Sequence, residues 1–156
     1  MTIFKRLQKN EKGQATVEFA LTVVLLMLFI VGFLELVTMV YTYNVLAGSA
    51  KEGVRYAMVH GSNNATPSGP TSGAAGSPPC TTSSANVGAV QTAVKNYAGV
   101  SFHDISAMTV NVCYFDGDNQ ASHRVQVAVH YPYQPFFGLG WPTVTVHAAA
   151  AARIAY

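Results

Sequence analysis

The sequence contains few charged residues. Lys, Arg, Asp and Glu together make up 10% of the 156 residues, and the formal net charge is +2. Four of the nine basic residues lie within the first twelve positions, so the rest of the chain is nearly neutral. No basic patch remains that would favour the phosphate backbone of a nucleic acid. We therefore expect no nucleic acid among the partners.

Cysteine is also scarce, with only Cys80 and Cys113 present. In an oxidising compartment such a pair predicts one disulfide, which would close a loop of roughly 30 residues and contribute about 3 to 4 kcal/mol. Two unpaired thiols and a metal site are the alternatives. A metal site needs more ligands at closer spacing than two isolated cysteines offer. The five histidines show no ligand-like pair, so we predict neither a metal nor another cofactor.

Catalytic motifs are missing as well. The second half of the chain contains Ser, His and Asp residues, but no nucleophile elbow, metal-binding pair or glycine-rich phosphate loop orders them. We predict that the protein is not an enzyme and assign no catalytic residues. A membrane-tethered hydrolase is the remaining catalytic alternative.

A long apolar run dominates the first third of the chain. From Phe19 through Leu34, only Thr22 and Gly32 are not strongly apolar. A helix from Ala15 to Tyr43 would contain about 29 residues, more than the roughly 20 that span a bilayer and the roughly 7 to 15 of a signal-peptide core. We therefore predict a membrane anchor. Small residues at positions 47–50 leave a cleavable signal peptide as the alternative.

Charge before the span predicts its orientation. The span is preceded by four basic residues, Lys5, Arg6, Lys9 and Lys12. The positive-inside rule then places the N-terminus in the cytoplasm and everything after Tyr43 outside it. Helical spacing continues to about Val59, which predicts one rod of about 65 Å with its lower half in lipid. A break near Gly48 or Gly53 is the alternative.

The remaining sequence predicts a small head. Residues 61–86 are rich in Ser, Thr, Gly, Pro and Asn, which is typical of a loop or linker. A short helix is expected from about Ala85 to Ala98. Its apolar stripe comprises Val87, Val90, Val94 and Tyr97.

Three strands are expected after this helix. Alternating apolar residues indicate strands at 109–115 and 124–131, joined by a turn at 116–119. The alanine-rich stretch 143–156 also alternates, and this favours a strand over a helix despite the helix propensity of alanine. The aromatic loop 136–141 is expected to cap the core, with insertion into the outer leaflet as the alternative.

The predicted fold is therefore α+β. A long N-terminal transmembrane and stalk helix precedes a small extracytoplasmic domain with one short helix and a three-stranded antiparallel sheet. The predicted segments are a basic leader at 1–13, the transmembrane and stalk helix at 14–59, the loop at 60–86 and the head at 87–156.

Four stretches carry a family resemblance: 13–19 (GQATVEF), 32–36 (GFLEL), 50–57 (AKEGVRYA) and 127–133 (VAVHYPY). Together they resemble TadE-like proteins, the pseudopilins of the tight adherence (Tad, or Flp) pilus, a type IV pilus system. Many relatives carry a proline early in the span, where this chain has Val23 and Val24. A straighter membrane helix is expected in consequence.

The resemblance implies processing by a prepilin peptidase after Gly13, with Gln14 as the mature N-terminus and Glu18 at its fifth position. A carboxylate at the bilayer centre costs roughly 2.5 to 3.5 kcal/mol, so burial of Glu18 requires a partner. The N-terminal amine of a neighbouring subunit would serve as that partner and set the register. Alternatively, Glu18 lies solvated at the headgroup boundary.

The implied function is that of a minor pilin acting in pilus assembly and surface adherence. Expected partners are the peptidase, other pilins and pseudopilins, the Tad inner-membrane assembly platform and membrane lipid. The candidate assembly or recognition residues are Glu18, Phe19 and Glu35. Glu35 either contacts another assembly protein or lies at the outer interface within reach of water.

The expected location is the cytoplasmic (inner) membrane, crossed once, with the N-terminus in the cytoplasm and the head outside. Incorporation into a cell-surface pilus is left open. The alternative function is an uncleaved single-pass envelope anchor whose head binds another surface protein.

Overall fold

The structure is a computed structural model that describes residues 3–102, 104–135 and 142–155, with the backbone alone at 3–12. The predicted roles of the aromatic loop 136–141 lie outside the described residues. The elements follow the order α1 (Ile3–Val59), α2 (Gly88–Gly99), β1 (Thr109–Tyr114), β2 (Arg124–Tyr133) and β3 (Val144–Arg153). This arrangement confirms the predicted α+β fold.

Helix α1 is one continuous helix of 57 residues, roughly 85 Å long at 1.5 Å per residue. It begins at Ile3 rather than near Ala15, so the basic leader and the apolar span form a single helix. No break occurs at Gly48 or Gly53, and the alternative of a broken rod is wrong. The helix ends at Val59, close to the predicted position and just before the loop that starts with Gly61.

The apolar part of α1 faces away from the rest of the chain. Its most apolar stretch has a mean hydropathy of 2.7, and only 6% of that stretch is buried. A surface of many exposed Leu, Val and Phe side chains is strongly unfavourable in water and favourable in hydrocarbon. By its length, composition and exposure, α1 is compatible with a single-pass membrane anchor.

The head is built on an antiparallel sheet in the order β1-β2-β3. In its central row, Val112 pairs with Val127, and Val127 pairs with Ala150. One face of the sheet packs against the upper part of α1 and against α2. The completely buried residues of this core include Leu46, Ala50, Ala57, Val90, Val94, Val112, Tyr114, Val125, Val127 and Val129.

The alanine-rich segment forms strand β3, as the period-two pattern predicted. Val146 and Ala148 point into the core, whereas Thr145, His147 and Ala149 are exposed. A helix would place consecutive alanines around its whole circumference, whereas the strand separates a buried row from an exposed row. The helical alternative is therefore wrong.

Helix α2 differs from its prediction in two respects. It starts at Gly88 rather than Ala85. Its buried stripe ends in Ala98, whereas Tyr97 is 47% exposed and places its ring over Gly48 of α1. Ala98 lies at the tight crossing of α1 and α2, where a small side chain fits. The bulky Tyr97 fits only at the edge of this crossing, above Gly48, which has no side chain.

The segment between the helices is a loop that packs on the head and does not act as a free linker. The predicted disulfide between Cys80 and Cys113 joins it to β1, with the two Cα atoms 5.7 Å apart. Gly76 N–H donates to Tyr114 O at 3.3 Å, and Ser84 N–H donates to Val112 O at 2.8 Å. The loop thereby covers the outer edge of β1, where backbone groups would otherwise be unpaired.

Candidate functional site

Gly13, the candidate cleavage residue, is exposed and lies inside the regular part of α1. A methyl group added there would meet no heavy atom within 4 Å outside the helix's own backbone. Cleavage of a helical bond needs local unwinding, and glycine is about 1 kcal/mol less favourable than alanine in a helix. Gly13 is therefore accessible from outside, and the helix unwinds more readily at this residue than at its neighbours.

Glu18 lies one turn beyond the candidate cut. Gln14 Nε2 donates a hydrogen bond to Glu18 Oε1 at 3.1 Å, so the two side chains occupy the same face of α1. Thr22 Oγ1 donates to the backbone oxygen of Glu18 at 2.8 Å, which continues this polar stripe. Glu18 is exposed, and the neighbouring Phe19 is 71% exposed. Both side chains are accessible for contacts with other molecules.

Glu35 occupies a different environment from the expected one. It is only 6% exposed, so water does not reach it freely. Tyr133 at the end of β2 donates its hydroxyl to Glu35 Oε2 at 2.7 Å. The Thr38 hydroxyl lies 2.5 Å from Tyr133 Oη. Glu35 therefore lies in a contact between α1 and the head, which we call the helix–head clasp (Glu35, Thr38 and Tyr133). An assembly role for Glu35 stays a prediction.

The environment of the clasp raises the pKa of Tyr133 above its ordinary value of 10.0. Burial raises the pKa of Tyr133, the hydrogen bond with Thr38 opposes this rise, and the Glu35 carboxylate adds to it. The phenol therefore remains a hydrogen-bond donor to the carboxylate. Sequence reasoning selected Glu35 but missed Tyr133, because 98 positions separate the two residues and no local pattern connects them.

Two clefts open on either side of Tyr133. The lower one has a volume of about 300 Å³ and is lined mainly by apolar residues, including Leu36, Met39 and Val144. The upper one, of about 290 Å³, has a mixed lining that includes Thr42, Phe102, Asp104, Tyr131 and Gln134. Tyr133 belongs to both linings, so the clefts are neighbours along α1.

The distal end of the head carries a separate polar cluster. Arg124 Nη2 lies 2.7 Å from Asp116 Oδ1, and Arg124 N–H donates to Asp116 Oδ2 at 2.7 Å. These contacts lower the pKa of Asp116 to about 2, mainly through the side-chain hydrogen bond of Arg124. Nearby, His123 Nδ1 contacts Asp118 Oδ1. These pairs hold together the loop that connects β1 to β2.

The described residues contain no group of three or more His, Cys, Asp and Glu side chains suited to a metal ion. The sheet does bring His130 and His147 side by side across β2 and β3, with ring centroids 6.0 Å apart. Sequence reasoning missed this pair, because only the strand register makes the two histidines neighbours.

A model of the TadE-like protein family matches residues 13–55. This segment is TadE-like. The match confirms the resemblance over the candidate processing motif, the apolar span and the first part of the stalk. Among curated proteins and solved structures, none matches the chain. The TadE-like segment includes Glu18 and Glu35, and the family suggests a minor pilin associated with a Tad pilus.

Proposed function

We propose that the protein is a minor pilin, or pseudopilin, that acts without catalysis in assembly of a Tad/Flp-type pilus and in surface adherence. The observation that carries the proposal is the TadE-like match, which begins at Gly13 itself. The exposed apolar surface of α1 supports it, because pilin-like subunits are assembled from the membrane through such helices. The protein crosses the cytoplasmic membrane once, with the basic leader inside and the head outside.

Processing by a prepilin peptidase after Gly13 is part of this proposal. The cut removes the four basic side chains of the leader, which strongly oppose movement of the N-terminus into hydrocarbon. It also creates a free amine at Gln14. Since Gln14 and Glu18 share one face of α1, the new amine lies about one helical turn from the carboxylate.

Assembly then depends on what neutralises Glu18 in the membrane. An amine from a neighbouring subunit would pair with the carboxylate and fix the register of the two helices. The exposed ring of Phe19 supplies apolar contact area beside this pair. We therefore assign another pilin or the inner-membrane platform as the partner that binds the surface around Glu18 and Phe19.

N-terminal sequencing of protein from membrane and sheared-pilus fractions tests the proposal. We expect a start at Gln14 in the wild type and a block of cleavage in Gly13→Val, with Gly32→Ala as a control because a methyl group there meets nothing within 4 Å. A start at Met1 in every fraction refutes processing and favours an uncleaved anchor. Absence from the pili refutes incorporation into the filament.

The role of Glu18 is tested separately with Glu18→Ala. We expect this variant to be cleaved and to reach the membrane but to form at least tenfold fewer pili, because the helix has lost its charged register contact. Glu52→Ala is the control, since Glu52 only makes a 3.7 Å surface contact with Arg55. Normal piliation of Glu18→Ala would exclude a registry role while leaving processing intact.

A further inference from the structure

The two outer strands of the sheet, β1 and β3, differ in how their edges are covered. On β1, Gly76 N–H donates to Tyr114 O and Ser84 N–H donates to Val112 O, so the loop before α2 occupies this edge. On β3, no backbone hydrogen bond joins positions 144–153 to a described residue outside the sheet. Within the described part of the chain, β3 is therefore an open edge.

The alternation of the backbone along β3 determines which groups are open. Ile154, directly after the strand, donates its N–H to His123 O at 2.9 Å, so its backbone faces β2. In an antiparallel pair, only alternate residues face the partner strand. The even-numbered residues of β3 therefore face β2. The odd-numbered residues direct their N–H and C=O groups to the edge, and all of them are exposed: Thr145, His147, Ala149, Ala151 and Arg153.

Strand β3 also lacks the features that commonly prevent an edge from pairing. Natural edge strands are often short, or they carry lysine, proline or a bulge. β3 is ten residues long, contains neither lysine nor proline, and carries its one permanent charge at its last residue, Arg153. Its pairing with β2 continues without a bulge from Val144 to Arg153. The small side chains of Ala149 and Ala151 leave room for a further strand beside them.

Strand β3 runs in the same direction as α1. Its first residue, Val144, lines a cleft together with Leu36 and Met39, and Ala155, just beyond its end, donates its N–H to Met58 O at 2.9 Å. In two copies inserted in one membrane with their heads outside, the two β3 strands therefore point the same way at a similar height. Because the β1 edge is covered, a second copy can contribute a strand only through its own β3.

We propose that the open edge of β3 binds the β3 edge of a second copy of this chain. A rotation about the strand axis brings the two edges face to face, and a parallel β3–β3 pair joins the two sheets into one. Main-chain hydrogen bonds provide the affinity, as they do when a peptide adds a strand to a sheet edge. The covered β1 edges limit the joint sheet to two copies. The inference rests on the proposed function, because membrane insertion gives both strands the same direction.

Hydrogen exchange of the full chain in detergent micelles, followed by NMR, tests this pairing. Exchange is compared at two protein-to-detergent ratios, one that gives monomers and one that gives dimers. We expect the edge amides of Thr145, His147, Ala149 and Ala151 to exchange about tenfold more slowly in the dimer, because they gain hydrogen-bond partners. The amides of Val146, Ala148 and Ala150 face β2 and are the internal control, since both states should protect them equally.

A proline at the edge tests the same contact through the strength of the dimer. Ala149→Pro removes one edge N–H and keeps the hydrogen bonds between β2 and β3, so we expect the dissociation constant of the dimer to rise about tenfold. Ala149→Thr is the matched control, because threonine keeps the N–H and suits a strand. Sedimentation equilibrium in density-matched micelles gives both constants. Protection of the Val146 amide shows that a variant is folded, and the exchange pattern of the wild type decides if Ala149→Pro does not fold.

Several results would overturn the β3–β3 pair. A wild type that stays monomeric at every ratio refutes it, as does a folded Ala149→Pro that dimerises like Ala149→Thr. A dimer whose edge amides exchange as fast as those of the monomer is joined through α1 or another surface, which also refutes it. Resistance to alkaline extraction from membranes is measured first: inserted protein without edge protection refutes this inference alone, whereas protein that fails to insert refutes the proposed function too.

Discussion

The hydroxyl group of Tyr133 connects the end of β2 to α1. That hydroxyl lies 2.7 Å from Glu35 Oε2 and 2.5 Å from Thr38 Oγ1. A buried carboxylate requires hydrogen bonds, because its charge is otherwise poorly solvated. Removing the hydroxyl therefore weakens the solvation of Glu35 as well as the attachment of the head to α1.

We expect Tyr133→Phe to lower the free energy of unfolding by about 1.5 to 3 kcal/mol, the usual range for a hydrogen bond to a charged group. Chemical denaturation of the full chain in detergent micelles measures this loss. Tyr131→Phe is the matched control, because its hydroxyl donates to an uncharged acceptor, the backbone oxygen of Asp104, at 3.1 Å in an exposed setting. Equal losses in the two variants would contradict a special role for the clasp.

Asp116 makes the β1–β2 hairpin sensitive to acid. Arg124 lowers its pKa from 3.8 to about 2 in the folded protein. A carboxyl group with a depressed folded pKa stabilises the fold at pH values above its unfolded pKa, and this contribution disappears as the pH falls through the folded value. The relevant window is therefore between about pH 4 and pH 2.

In that window, we expect the midpoint temperature of unfolding to fall more steeply with decreasing pH in the wild type than in Asp116→Asn. At pH 6, the wild type should be the more stable of the two. Thermal unfolding followed by circular dichroism at a series of pH values provides the measurement. Glu52→Gln serves as a control, because its surface contact with Arg55 is longer, at 3.7 Å. Parallel profiles for the wild type and Asp116→Asn would refute the prediction.

At the scale of elements, Gly53 sets the distance between α1 and its neighbours. It is buried where α1 crosses both α2 and the sheet. A methyl group there would overlap Val94 Cγ2 and would lie 3.3 Å from Val127 Cγ1. Val94 and Val127 are both completely buried, and their β-branched side chains have little freedom to move away. The close approach of the two helices therefore depends on glycine.

We expect Gly53→Ala to destabilise the head by about 1 to 3 kcal/mol through overpacking, reduced by up to about 1 kcal/mol of gained helix propensity. Denaturant titration of the full chain gives the value. Gly88→Ala is the control, because a methyl group at that position in α2 meets nothing within 4 Å. Stabilisation by Gly53→Ala would show that the helices can separate without loss.

Sequence periodicity predicted every element but placed some boundaries wrongly. The start of α2 is shifted by the left-handed backbone at Asn86, whose φ is 55°. Asn86 exchanges hydrogen bonds with Gly69, which is distant in sequence, so the local pattern does not reveal this conformation. Strand β2 continues past Pro132 to Tyr133 because β3 provides partners for these residues, whereas the alternating pattern predicted an end at Tyr131.

At the scale of the whole molecule, a long loop joins the stalk to the sheet and is fixed at several points. Gly69 N–H donates to Asn86 O, Asn119 N–H donates to Pro70 O, and Cys80 is bonded to Cys113. Composition alone predicted a loop or linker in this region. Tertiary contacts make it part of the head, because hydrogen bonds and the disulfide offset the entropy of ordering it.

Removal of the disulfide should lower the free energy of unfolding by about 3 to 4 kcal/mol, according to the chain-entropy model for a loop of this length. Urea denaturation with and without reductant measures the difference. A variant with Cys80→Ser and Cys113→Ser should match the reduced wild type and show no response to reductant. An unchanged midpoint in the reduced wild type would mean that packing alone holds the loop.

The sequence by itself determined the apolar helix, its compatibility with a single membrane crossing, the alternating strands and the TadE-like segment. These properties depend on composition and on periods of two to four residues, so they can be read locally. Only the tertiary structure decided that Glu35 meets Tyr133, that Ala98 takes the core position expected of Tyr97, and that two clefts flank the clasp. Such contacts join residues that lie far apart in the chain. Packing and strand register therefore determine them, and local propensity does not predict them.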